Sequence, residues 1–167
     1  MKTGRFFLCV GVWVLAAPAL AAEGDPVWTY RLDGPPPSNG ENAAAVADAG
    51  GGQLVVVGTR SITGQGLDAW VQKMNSDMSV VWTRTLNGPS LANDTGYAVA
   101  VYRDTGDVYV GGGFHVSYSP LASWAFISKF SADGTLLWTW STNGSANSTG
   151  NAIRALSVNP ADGSVAG

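Results

Sequence analysis

The chain holds one histidine, His115, and histidine is the side chain that titrates nearest neutrality without help. It stands in a stretch from Gly112 to Ala122 that reads as a long loop, in the company of Phe114, Tyr118 and Pro120. One histidine with no second His or Cys does not make a usual zinc site. No Gly-x-Ser-x-Gly elbow accompanies it for acyl transfer. An exposed loop histidine is therefore expected, with a general base or ligand contact as the alternative. The one cysteine, Cys9, falls in an apolar leader, so the mature chain would hold no thiol. That excludes disulfides, a Cys-bound metal and a cysteine nucleophile.

Oxygen-rich triplets come next. Asn93-Asp94-Thr95 and Asn147-Ser148-Thr149, the latter beside Asn143-Gly144-Ser145, occupy equivalent places in two units described below. Calcium takes about six to eight oxygens, which Asp/Asn loops can supply. Here only Asp94 is charged and no Asp-x-Asp-x-Asp-Gly loop exists, so no metal site is assigned. The triplets also match the N-glycosylation acceptor, which matters only in a host that glycosylates. Asp104-Thr105-Gly106-Asp107 partly resembles the Asp-Thr-Gly of aspartic proteases and the D-x-x-T-G of quinone-binding repeats, but its flanks fit neither, and a tight turn suffices. Gly111-Gly112-Gly113 lacks the lysine and the helix of a phosphate loop. No catalytic, cofactor-binding or metal-binding residue is assigned, and no cofactor is expected.

The elements that carry these residues repeat. Lys73-Met74-Asn75-Ser76-Asp77-Met78-Ser79-Val80-Val81-Trp82-Thr83 returns 56 residues later as Lys129-Phe130-Ser131-Ala132-Asp133-Gly134-Thr135-Leu136-Leu137-Trp138-Thr139. Trp28-Thr29-Tyr30-Arg31-Leu32 is a partial earlier copy of Trp82 to Leu86. A period in the fifties with strand-like content signals a repeat architecture. Each Trp-bearing strand closes on Asp-Gly or Asn-Gly (Asp33-Gly34, Asn87-Gly88, Asn143-Gly144), the dipeptides that best tolerate a tight turn.

Taken in order, residues 1–22 read as a cleaved secretory signal, with Lys2 and Arg5 before the apolar run Phe6 to Leu15 and a small-x-small end at Ala19-Leu20-Ala21. The run is shorter than the roughly 20 residues of a membrane span. Residues 23–26 form a lead-in, and Pro35-Pro36-Pro37 a stiff connector. Four strands are expected per unit. In one unit they are Ala43 to Ala47, Gln53 to Gly58, Ala69 to Met74 and Val80 to Leu86, with a loop from Arg60 to Leu67. The alanines alone would also allow a helical turn, but their counterpart Tyr97-Ala98-Val99-Ala100-Val101 is β-rich. The next unit offers Tyr97 to Tyr102, Val108 to Gly111, Trp124 to Phe130 and Leu136 to Thr142. Ala152 to Val158 would open a further one, turning at Pro160-Ala161-Asp162-Gly163. The unit boundaries are thus 27–42, 43–96, 97–151 and 152–167.

A four-stranded sheet with two apolar faces and no helix is stable against copies of itself, so the expected fold is all-β, with β-propeller blades of four antiparallel strands. Each recurring Trp would anchor a blade junction, and Trp82→Ala or Trp138→Ala is expected to remove about 3–5 kcal/mol. The succession Asp68-Ala69-Trp70-Val71-Gln72-Lys73-Met74, Val80 to Leu86, Gly96-Tyr97-Ala98-Val99-Ala100-Val101 and Asp107-Val108-Tyr109-Val110-Gly111 resembles the secreted bacterial β-propeller repeat proteins (SBBP-type) across nearly all of 27–167. Asn87-Gly88 replaces the Gly-Gly common there, Tyr102 takes the usual Asp position, and Ser123-Trp124-Ala125-Phe126 departs from the third-strand signature. The resemblance implies an extracytoplasmic scaffold or binding surface.

An exported chain from Ala22 would hold about 2.7 units, fewer than a ring needs. The expectation is an N-terminal fragment of a longer protein, or else ring closure by assembly. Of 167 residues 13% are charged, 22 are glycine, and no Lys/Arg cluster exists, so nucleic acid is a poor partner. The expected function is a non-catalytic binding or interaction scaffold, secreted, periplasmic or at the cell surface, presenting blade loops to a protein or glycan. The alternatives are a structural repeat of a large adhesion protein, or a propeller-borne hydrolase, lyase or quinone-dependent dehydrogenase with its site in other blades.

Overall fold

The computed structural model describes residues 41–62, 66–90, 92–118, 121–144 and 150–167. The leader, the Trp28 strand, the proline connector and Asn147-Ser148-Thr149 lie outside the described residues. Every regular element among the described residues is a β-strand. The first sheet is a four-stranded antiparallel meander of β1 (Asn42–Gly50), β2 (Gln53–Ile62), β3 (Gly66–Met74) and β4 (Val80–Leu86), in that spatial order. The second repeats it with β5 (Asp94–Tyr102), β6 (Asp107–Tyr118), β7 (Leu121–Phe130) and β8 (Leu136–Thr142). A two-stranded ladder of β9 (Ser157–Val158) and β10 (Val165–Ala166) follows. No closed barrel or ring of sheets is formed among the described residues.

The alanine segment is a strand, as its β-rich counterpart indicated, and both Trp-bearing strands have the expected bounds. Three expectations need correction. The β2–β3 connection is short, because strand pairing runs on to Ile62↔Gly66. The long loop around His115 does not exist: β6 continues through Phe114, His115 and Val116 to Tyr118, paired with β7 as far as Tyr118↔Leu121. Its aromatic and β-branched residues suit a ladder. Conversely, Ala152 to Leu156 is not strand, since the last ladder consists of Val165↔Val158 and Ala166↔Ser157 alone.

The two large sheets match in their irregularities as well as their order. Both first strands carry a register shift near their start, between Ala43 and Ala45 and between Gly96 and Ala98. A glycine stands opposite each, because a Cβ on Gly58 would lie 1.9 Å from the Asn42 carbonyl oxygen and one on Gly112 2.1 Å from that of Thr95. Both third-to-fourth pairings also shift, at Lys73/Met74 and Lys129/Phe130.

β5 packs across β1, β2 and β3, and the core lies between the sheets. Val55, Val57, Val71, Trp82 and Leu86 meet Val108, Val110, Phe114, Phe126 and Phe130. Strand alternation puts Tyr109, Gly111 and Gly113 on the opposite face of β6. There residues 151–167 lie: Ile153 N–H donates to the Gly112 carbonyl (3.1 Å) and the Tyr109 hydroxyl to the Gly163 carbonyl (2.8 Å).

Candidate functional site

The two rims of the sheets differ. On one, three turns are built alike. Asn75 N–H donates to the Ser79 carbonyl, Ser131 N–H to that of Thr135 and Asn159 N–H to that of Ser164, at 2.9, 2.9 and 2.8 Å. In each turn an aspartate two residues earlier accepts the closing N–H: Ser79 to Asp77, Thr135 to Asp133, Ser164 to Asp162. Hydrogen bonds from those same Ser or Thr residues, and for Asp133 from Ser131 first of all, hold the three carboxyls below their ordinary range. Asp104-Thr105-Gly106-Asp107 is likewise a turn, with Gly106 N–H donating to the Tyr102 carbonyl (2.8 Å). The carboxylates of this rim are turn-formers.

The opposite rim gathers the residues whose types suggested chemistry. Residues 87–93 cross from β4 to β5 here, rather than turning tightly at Asn87-Gly88. Asp94, the first residue of β5, is fully buried and holds the crossover together. Its Oδ2 accepts Gly88 N–H at 2.6 Å and its Oδ1 accepts His115 N–H at 3.0 Å. Asn93 Oδ1 accepts Leu67 N–H (3.1 Å), and the Ser90 hydroxyl donates to the His115 carbonyl (2.6 Å). Burial pushes Asp94 up to about 6, outweighing its two backbone hydrogen bonds, with a smaller push from the negative charge of Asp68. Burial also raises Asp68, on β3.

No protein-family model matches this chain, and no curated protein matches it either.

Chemically, the Asp94 carboxylate is a clamp. Both oxygens are engaged by backbone N–H groups and neither reaches solvent, so it has no geometry for accepting a substrate proton. His115 is half-buried in β6, not exposed on a loop, and it takes part through its backbone. Among the described residues no group of three or more His, Cys, Asp or Glu side chains could hold a metal ion. The atoms Asp68 Oδ2, Arg60 Nε, Thr59 Oγ1 and Gln72 Oε1 are buried without a hydrogen-bond partner.

Asn151 does for the next junction what Asp94 does for this one. Its Nδ2 donates to the carbonyls of Asn143 (2.7 Å) and Ser123 (3.1 Å), while the Ser123 hydroxyl donates to its carbonyl (3.1 Å). This clamp was missed from sequence. A signal existed: Asp94 and Asn151 stand seven and eight residues after Asn87 and Asn143, the asparagines that end the Trp-bearing strands. Among the described residues no helix is long and apolar enough to cross a membrane.

Proposed function

We propose that this chain is an exported, non-catalytic β-propeller repeat protein, its four-stranded sheets acting as blades and the β2–β3 and β6–β7 rim binding a protein or glycan. The observation that carries the reading is the contrast between rims. The turn rim repeats its hydrogen bonds three times with nearly the same residues. At the other rim the sheets diverge: β2 has 10 residues and ends Arg60-Ser61-Ile62, while β6 has 12 and ends Val116-Ser117-Tyr118. Packing keeps the clamps of Asp94 and Asn151 in place beneath that rim and leaves the hairpin ends free to differ. Recognition concentrates on such variable ends of a rigid scaffold. The absence of an assigned catalytic or metal set in the sequence favours a binding role over an enzymatic one.

The test is a screen of the folded protein against a glycan array and a displayed-peptide library. A probe that binds should be lost on Tyr118→Ala or Arg60→Ala and kept on Asp77→Ala or Asp133→Ala. Binding that survives the first pair and fails with the second, or no binding to any probe, overturns the reading.

A further inference from the structure

Trp82 and Trp138 are the same residue of successive repeats, yet Trp82 is 6% exposed and Trp138 41%. What covers Trp82 is the β7–β8 turn of the next sheet. Its indole N–H donates to the Ala132 carbonyl (3.0 Å), its ring stacks on Phe130 with centroids 6.1 Å apart, and Gly134 lies on the indole face. Lys73 Nζ also donates to the Ala132 carbonyl (3.3 Å) and Arg84 Nε to that of Gly134 (2.7 Å). Gly134 has φ of +82°, and a Cβ there would lie 2.7 Å from the Trp82 ring, so this seat needs glycine.

The corresponding face of the second sheet is half covered. Over β6 lies the 151–167 segment, whose β9–β10 turn presses Gly163 (φ +71°) against Tyr102 in the same manner. Over β8 nothing lies among the described residues. Trp138 and Trp140 are 41% and 50% exposed, with Trp140 in the place of Arg84. Among the described residues β10 pairs with β9 alone, and its other edge lies beside that bare half.

We propose that the β8 face and the β10 edge together form a docking seat for a β-hairpin carrying an Ala-Asp-Gly-Ser/Thr turn, the kind found at Ala132 to Thr135. The hairpin adds its strands to β10 and places its turn glycine on Trp138. The occupant is specified by the interface the chain already shows at Trp82 and by its continuity with the part already laid down over β6. The seat also discriminates. The β3–β4 turn has Met78 (φ +67°) where the β7–β8 turn has Gly134, and a side chain there has no room against an indole. The surface is separate from the variable rim and does not depend on the ligand proposed for it.

The experiment extends the full chain. Val165 corresponds to Val108, since Val158↔Val165 matches Val101↔Val108, so residues 111–142 are repeated directly after Gly167. Oxidation of each tryptophan by N-bromosuccinimide is followed by mass spectrometry. The oxidation rate of Trp138 is expected to fall to that of Trp82, and Gly134→Met in the added copy should return it to the rate of the unextended chain. An extended chain in which Trp138 reacts as before overturns the proposal, as does equal protection with the Met variant. Protection of Trp138 in the unextended chain that grows with its concentration also overturns it, because a second copy then covers the face.

Discussion

At the residue scale, Asp94 makes stability depend on pH in an uncommon direction. Its carboxyl rises from the ordinary 3.8 to about 6 because burial opposes its charge. The folded state then holds this proton more tightly than the unfolded chain does. The group's contribution is full below pH about 4 and is lost as pH rises through about 6. Asp68 has the same sign. The lowered Asp77, Asp133 and Asp162 act oppositely, in the region below pH about 4, outside this window. Urea unfolding at pH 4, 5 and 6 should show stability falling with pH, and Asp94→Asn should flatten most of that fall. Equal slopes in the two proteins would mean that the clamp titrates as an exposed carboxyl does. Little of this was legible in the sequence. Asn93-Asp94-Thr95 suggested an oxygen-rich loop, and composition alone cannot tell a carboxylate facing solvent from one swallowed by a crossover. His115 misled similarly: glycines, Ser and Pro around it read as a loop, while pairing with Ser123 holds it in a strand.

At the element scale, the period of the sequence told more. The bounds of β4 and β8 were legible because each has a Trp at a fixed place, a turn before it and an Asn-Gly dipeptide after it. What a repeat cannot state is which neighbour each copy has. The two tryptophans looked equivalent, but only Trp82 is enclosed by a turn of the next sheet. The expected loss of about 3–5 kcal/mol therefore belongs to Trp82→Ala, where a buried ring, a hydrogen bond and a stacked Phe130 go together. Trp138 keeps an edge contact with Tyr109 at 6.1 Å, so Trp138→Ala should lose about 1 kcal/mol. Chemical denaturation of both variants checks this, and similar losses would show that Trp138 is enclosed in solution.

At the scale of the whole molecule, the issue is whether two sheets that share so little backbone pairing unfold as one. The join has a polar and an apolar part. Arg103 and Asp48 pair at 2.7 Å with both side chains more than half exposed, an arrangement that contributes on the order of 0–1 kcal/mol. The apolar part is tighter. A Cβ on Gly96 would lie 2.5 Å from Val57 Cγ2 and 3.2 Å from the Gly58 carbonyl oxygen, so β5 sits against β2 as closely as backbone allows. Gly96→Val forces the sheets apart there, and overpacking of this kind typically removes about 1–3 kcal/mol. The larger effect is on coupling, since in stacked repeats cooperativity resides in the interface between neighbours. In urea, tryptophan fluorescence, to which Trp82 at the join contributes beside the chain's six other tryptophans, and far-UV circular dichroism, which reports strands, should change together for the natural chain. With Gly96→Val the fluorescence transition should come first, as Trp82 loses its cover while strands persist. Asp48→Ala should leave the two transitions coincident. If Asp48→Ala separates them and Gly96→Val does not, the ion pair joins the sheets and the glycine contact is incidental.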